Sequence, residues 1–350
     1  MPAAKPKQHH LTHRGLLLAL GLTVICLVVL ATGMGYITVT PVQVVRILGA
    51  KVLGWPELSR GLDAVLTHVV WDVRLPRIIT SAVVGAALAM SGVVFQGLLL
   101  NPLADPFTLG VSSGAAFGAA VSLLFGLSFL GPYTLCLLAF LGAVGSLLVV
   151  LRLSSVKGQV SPYSLILSGV IVAAILSAGI SFIKYLADEQ VSVIIFWLMG
   201  SFVARTWLEA AVTASLTVVG LVVCLYHARD LNIMSLGDRA AASLGVQTRR
   251  VRLTLLVTAS LVTAACVSVS GIIGFVGLLV PHLVRFWAGP DHRVLLPASA
   301  LAGAGLLLAA DTITRALLPH EVPIGVLTAL IGGPFFCYLF RRKQLAVQGG

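Results

Sequence analysis

RLPRIITSAVVGAALAMSGVVFQGLLLNPLADP, residues 74–106, decides the architecture. From Ile78 to Leu100 it runs for 23 residues without a charged side chain. As a helix rising about 1.5 Å per residue it would reach roughly 34 Å, enough to cross the hydrocarbon core of a bilayer. Asn101-Pro102-Leu103 then ends it, because proline removes a backbone donor and clashes with the preceding turn. Broken backbone at that depth is tolerated only beside protein or a wet cavity.

The same signal recurs along the chain. Runs of spanning length lie near Leu16–Ala31, Leu109–Leu127, Pro132–Leu151, Tyr163–Leu186, Trp207–Tyr226, Val251–Val269, Leu295–Ala310 and Ile324–Phe340. A shorter Gly-rich segment with Pro281, Ile272–Phe286, adds one more. Of 350 residues, 58% are hydrophobic and 10% charged, with a mean hydropathy of +1.04; a soluble domain carries about 25% charged residues. These features predict an all-α polytopic membrane protein of about ten transmembrane helices. It would form one membrane domain over 16–342, flanked by cytoplasmic tails at 1–15 and 343–350. The first run follows Lys5, Lys7 and Arg14 like a secretory signal, but no A-x-A cleavage site follows it, so it reads as a retained helix.

Ten crossings put both termini on one side. Under that topology fifteen Lys and Arg fall on the side of the termini and eight on the other, which makes the termini cytoplasmic. The formal charge of +11 is then topogenic and needs no nucleic-acid partner. Three polar stretches stand out. Ile37–Asp72 lies outside and carries an amphipathic pattern over Val42–Leu53. His227–Arg252 is the longest cytoplasmic loop. Thr312–Pro323 is a short outer link with Arg315, His320 and Glu321. Gly110, Gly114 and Gly118 fall four apart, a ladder suited to close helix packing. Cys26, Cys136, Cys224, Cys266 and Cys337 lie in apolar runs without metal-ligand spacing and read as packing residues.

No GxxxxGK[ST] loop, HExxH or EF-hand pattern occurs, and His282 and His292 have no carboxylate cluster to complete a metal site. The chain reads as neither an enzyme nor a metalloprotein, and no cofactor is expected. Ion-coupled carriers usually hold ionisable groups deep in their spans, whereas the acids here fall in loops or near span ends. Unwound helices can also bind ions through carbonyls, so a secondary transporter stays open as the alternative to a gate driven from outside the chain.

Several ordered strings narrow the choice: Arg74-Leu-Pro-Arg77, Gly92-Val-Val-Phe-Gln96, Asn101-Pro-Leu-Ala-Asp-Pro106, Leu109-Gly-Val-Ser-Ser-Gly-Ala115, Trp197-Leu-Met-Gly-Ser201 and Gly271-Ile-Ile-Gly-Phe-Val-Gly-Leu278. Pro281-His282, Asp311 with Arg315, Pro323-Ile-Gly325 and Gly332-Gly-Pro-Phe335 follow. Together, over about 15–342, they resemble the FecCD-type permeases that import ferric siderophores, haem or cobalamin. The resemblance implies a cobalamin-permease-like, type II ABC importer fold in the bacterial inner membrane. It implies a homodimer with a second permease subunit, two ABC ATPase subunits inside, and a periplasmic substrate-binding protein outside. An iron chelate, either a ferric siderophore or haem, is the expected cargo; cobalamin or an oxyanion such as molybdate is the alternative.

Residue roles follow from the same resemblance. Arg74, Arg77 and Arg315 would dock the binding protein by pairing with its glutamates; the plainer reading is interfacial anchoring, with Asp72 or Asp311 as local partners. The 227–252 loop, with Leu236, Gly237, Asp238, Ala241, Leu244 and Gly245, would couple to the ATPase as short amphipathic helices around a small-residue turn; otherwise it would lie on the membrane surface. Asn101, Pro102 and Leu103 would narrow the cytoplasmic mouth. Where similar permeases place small hydroxyl residues at a second constriction, this chain has Pro162 and Tyr163.

Overall fold

A computed structural model describes residues 13–35, 37–156, 159–316 and 321–348. The tail lysines Lys5 and Lys7, together with Lys157 and His320, lie outside these residues. The chain folds as α1 (His13–Gly33), α2 (Pro41–Val52), α3 (Ala64–His68), α4 (Leu75–Leu98), α5 (Val111–Leu124), α6 (Tyr133–Ser154), α7 (Pro162–Leu186) and α8 (Val191–Leu198). It continues as α9 (Trp207–Tyr226), α10 (Ala228–Met234), α11 (Asp238–Ser243), α12 (Thr248–Ser270), α13 (Val276–Ala288), α14 (His292–Ala316) and α15 (Ile324–Gln348). A π-helical turn over Val69–Arg74 joins α3 to α4, making one helical stretch over Ala64–Leu98. Ser155–Val156 pairs antiparallel with Gln159–Val160.

Among the described residues, seven helical stretches are long and apolar enough to cross a membrane; α5, α13 and Ile324–Tyr338 are shorter apolar helices. The seven differ in how deeply they are packed. Between 61% and 78% of the most apolar window is buried in Ala64–Leu98, α12 and α14, against 17–33% in α1, α6, α7 and α9. The first three therefore form the centre and the others face outward. The aliphatic side chains left bare on α7 and α9, such as Ile175 and Val218, suit lipid contact.

The central helices touch at backbone distance. A Cβ on Gly85 would fall on the carbonyl of Gly303, and one on Gly92 on that of Gly277, so α4 meets α14 and α13 with no side chain between. Without a hydrophobic drive between helices in lipid, such contact supplies the packing. The expected glycine ladder divides. Gly114 and Gly118 face α6, but Gly110 sits at φ +72 between a 3₁₀ turn (Pro106–Leu109) and α5, a backbone state that favours glycine.

Two elements differ from the sequence expectation. The short segment expected over Ile272–Phe286 is non-helical from Gly271 to Phe275 before α13 begins. The stretch after α7, to which the sequence pattern assigned no element, forms the apolar helix α8. These irregular pieces satisfy one another: Ser201 N–H donates to Ser270 O at 2.8 Å, Ile324 N–H to Gly200 O at 3.1 Å, and Gly325 N–H to Met199 O at 3.0 Å. A membrane tolerates open backbone only when such partners exist.

Candidate functional site

The sequence-predicted residues gather at opposite ends of the bundle. At one end α1 finishes, α4 starts and α14 finishes, and Arg74, Arg77 and Arg315 converge there. Arg74 is buried; its Nη1 donates to Thr32 O at 2.9 Å and its Nη2 to Ile37 O. Arg315 Nη2 donates to Ala31 O at 2.7 Å. The last carbonyls of a helix lack intrahelical partners and carry the negative end of its dipole. Two guanidinium groups therefore cap α1. Arg77 instead pairs with carboxylates: its Nε and Nη2 lie 3.0 and 2.8 Å from Asp311 Oδ1, and its Nη1 lies 3.1 Å from both oxygens of Glu321. Asp311 is fully buried and Glu321 half-exposed. Asp311 is thus one of the local partners anticipated; Asp72 instead pairs with His68 at 2.8 Å.

At the other end, α10 and α11 form the two short helices of the 227–252 loop. Leu236 and Leu244 stand exposed, Ala241 is buried, and Gly237 and Gly245 adopt φ +98 and +86. Asp238 accepts a 2.6 Å bond from Arg252 Nη2, which ties α11 to α12. Sequence reasoning missed what holds α10. Asn232 Oδ1 accepts from the His292 backbone N–H at 3.0 Å and from its Nδ1 at 2.5 Å, and Asn232 Nδ2 donates to Asp291 Oδ1 at 2.7 Å. Desolvation raises the Asp291 pKa, but the Arg293 N–H, Asn232 and the Arg293 charge outweigh it and hold it below the usual carboxylate range. Close by, Arg285 Nη1 donates to Gln96 Oε1 at 2.6 Å, linking α13 to α4.

The Asn101-Pro102-Leu103 break follows α4 at this same end. Leu100 takes φ +49, and Asn101 Oδ1 accepts from Leu103 N–H at 2.9 Å, a local turn that leaves Leu103 exposed. Pro162 and Tyr163 open α7, capped by Ser161, whose hydroxyl accepts from Ser164 N–H at 3.1 Å. Tyr163 is exposed. α7 packs on the turn after the break, where a Cβ on Gly169 would meet Thr108 O.

Two clefts were not foreseen. An apolar one of about 570 Å³ is walled by Met199, Ile272, Phe275, Val326, Ala329 and Leu330; it opens where α8, the Gly271–Phe275 backbone and α15 meet. The Gly-rich strings marked that backbone, but nothing local marked its neighbours. A second, of about 440 Å³, holds Tyr133, Cys136, Trp197, Arg205 and Glu209, with Arg205 Nη1 and Glu209 Oε1 at 3.0 Å.

A helical bundle with spanning-length helices, interlocked broken backbone and polar clusters at its two ends defines a polytopic membrane permease. The chain belongs to the FecCD transport family, whose model matches residues 22–342; it is the permease component of an ABC importer. It is 43% identical over 302 residues to the cobalamin import system permease protein BtuC of Halobacterium salinarum, covering 84% of this chain and 81% of that one. It is 40% identical over 333 residues to the hemin transport system permease protein HmuU of Yersinia pestis, covering 93% and 96%. Its fold matches a solved ABC transporter assigned to the metal-chelate type, in an inward-facing conformation, with TM-score 0.80 and 36% identity over 93% of this chain and 98% of that one. As an ABC permease it works with ATPase and substrate-binding partners.

Proposed function

We propose that this permease carries an iron chelate, a ferric siderophore or haem, across the cytoplasmic membrane. The observation that carries this reading is the near full-length match to the hemin permease, joined by the metal-chelate type of the matching structure. A cobalamin cargo is the second reading, favoured by the 43% identity to a cobalamin permease.

The permease crosses the membrane ten times, α5, α13 and α15 joining the seven longer stretches, with both termini in the cytoplasm. Two copies meet along the apolar cleft lined by α8, Gly271–Phe275 and α15, and cargo passes between them by alternating access. ATP is hydrolysed on separate subunits. These contact the α10–α11 loop through Leu236, Gly237, Asp238, Ala241, Leu244 and Gly245. Asn101, Pro102 and Leu103, with Pro162 and Tyr163, border the cytoplasmic mouth.

The binding protein docks on the rim built by Arg74, Arg77 and Arg315. Arg77 exposes only 11% of its side chain and lies under half-exposed Glu321, so a docking carboxylate reaches it by displacing Glu321. Arg74 and Arg315 hold the end of α1.

The deciding experiment reconstitutes the permease with its ATPase and binding protein in proteoliposomes and supplies labelled haem, ferric siderophore and cobalamin in parallel. ATP-dependent haem or siderophore uptake that survives collapse of ion gradients is expected. Cobalamin uptake alone would shift the cargo to the second reading, and gradient-driven uptake by the permease by itself would end the ABC reading.

A further inference from the structure

We propose that Asn232 is a positioning residue that fastens the ATPase-coupling element to the α4–α14 pair, so that displacement of α10 is delivered to helices running the full depth of the membrane. The inference rests on the coupling reading of the α10–α11 loop. Its geometry is independent of that reading.

Asn232 uses both ends of its amide on the start of α14. The carbonyl oxygen takes the His292 backbone N–H at 3.0 Å and the ring Nδ1–H at 2.5 Å, while the amino group reaches Asp291 Oδ1 at 2.7 Å. Asparagine alone among small side chains offers an acceptor and a donor in this fork; aspartate lacks the donor and leucine lacks both. The other ring nitrogen, His292 Nε2, is buried with no hydrogen-bond partner among the described residues. It lies beside Leu231 at the open side of Gly97, where a Cβ would come within 2.9 Å of it. The polar capacity of His292 is therefore directed to Asn232, and α4, α10 and α14 meet where Gly97 has no side chain.

Buried Leu231 and Met234 also seat α10, but apolar contact is non-directional and permits sliding. Hydrogen bonds have preferred angles and lengths, so the Asn232 fork sets the register of α10 on α14. Beyond the fork, α14 runs 25 residues with its backbone against α4 at Gly303 and Gly85. Its far end carries Asp311 and Arg315, joined to α4 through Arg77. A push on α10 that reaches His292 moves a two-helix unit whose opposite end bears the arginine cluster.

The test uses the full complex in proteoliposomes. Asn232→Asp sets two carboxylates against each other and removes the donor. ATPase subunits should stay bound and hydrolyse ATP, while cargo moved per ATP falls on the order of tenfold, the scale set by losing a hydrogen bond to a charged group. Asn232→Asp with Asp291→Asn reverses the direction of the bond, keeps a good N-cap for α14, and should restore cargo per ATP. Unchanged cargo per ATP in the single variant, or no recovery in the double, overturns the proposal. Where Asn232→Asp fails to fold, Asn232→Ser is read instead, and wild-type cargo per ATP there overturns it equally. Failure of the coupling reading shows separately: Leu236→Glu and Leu244→Glu would then leave ATPase co-purification intact.

Discussion

At the scale of single residues, the Arg77–Asp311–Glu321 group separates two kinds of ion pair. Asp311 is fully buried and Arg77 nearly so; removing one partner there strands a charge, at a cost of about 3–5 kcal/mol. Glu321 is half-exposed, and an exposed pair contributes about 1 kcal/mol or less. Asp311→Ala should therefore sharply lower the thermal stability of purified permease, while Glu321→Ala leaves it nearly unchanged. Equal effects would mean that Arg77 is solvated. The arginines themselves were legible in the sequence, since Arg74-Leu-Pro-Arg77 and Asp311 with Arg315 are local patterns. What Arg74 and Arg315 hold was not. Their acceptors are main-chain carbonyls of α1, 42 and 284 positions away in the chain, and a carbonyl has no sequence signature. Asn232 was illegible for the same reason, because its partners lie about 60 positions on.

At the scale of elements, the long uncharged runs and the Val42–Leu53 amphipathic pattern translate directly into helices, with ends shifted by a few residues. Legibility fails where backbone pairs with backbone. The Gly271–Phe275 break and α8 depend on Ser201, Ile324 and Gly325 meeting Ser270, Gly200 and Met199 respectively across distant parts of the chain. Apolar composition alone reads the same whether a segment crosses or folds back. The glycine contacts give this scale its test. Gly92→Ala places a methyl on the Gly277 carbonyl, a backbone group that cannot swing away. Overpacking costs about 1–3 kcal/mol, and the upper end applies here. Gly145→Ala in α6 meets nothing within 4 Å among the described residues and should be neutral or slightly stabilising, since alanine is the better helix former. Melting of the two variants, followed by loss of monodisperse protein on heating, should differ clearly; matching curves would show that α4 and α13 do not meet at backbone distance. Gly237→Val belongs to the same scale: among the described residues nothing lies within 4 Å of a Cβ on Gly237, but its φ of +98 disfavours a side chain. Local distortion of α11 should then weaken ATPase co-purification and spare binding-protein association.

At the scale of the whole molecule, the two ends of the bundle carry unequal charge. Of the 23 Lys and Arg and 12 acids, the arginine-cluster end takes eight of each under the proposed topology. It is therefore close to neutral, and the entire excess of +11 falls on the end bearing α10 and α11. Helix direction agrees with this division: α4 begins beside Arg77 and ends beside the Asn101 break, while α14 begins beside Asn232 and ends beside Arg315. Under the proposed docking role, a neutral end gives the binding protein no general field to follow, so recognition there would rest on the local geometry of the arginine cluster. A strongly positive end is what retention on the cytoplasmic side requires. Both inferences stand or fall with orientation. Lys51 at the end of α2 and Arg239 in α11 are exposed at opposite ends, so each serves as a reporter once replaced by cysteine. Cys26 and Cys337 are exposed as well, so the native cysteines must first be removed. A membrane-impermeant thiol reagent added to intact cells should modify Lys51→Cys and leave Arg239→Cys untouched until the membrane is opened. The reverse pattern would invert the bundle, moving the arginine rim to the ATPase side and stripping both the docking and the coupling assignments of their physical basis.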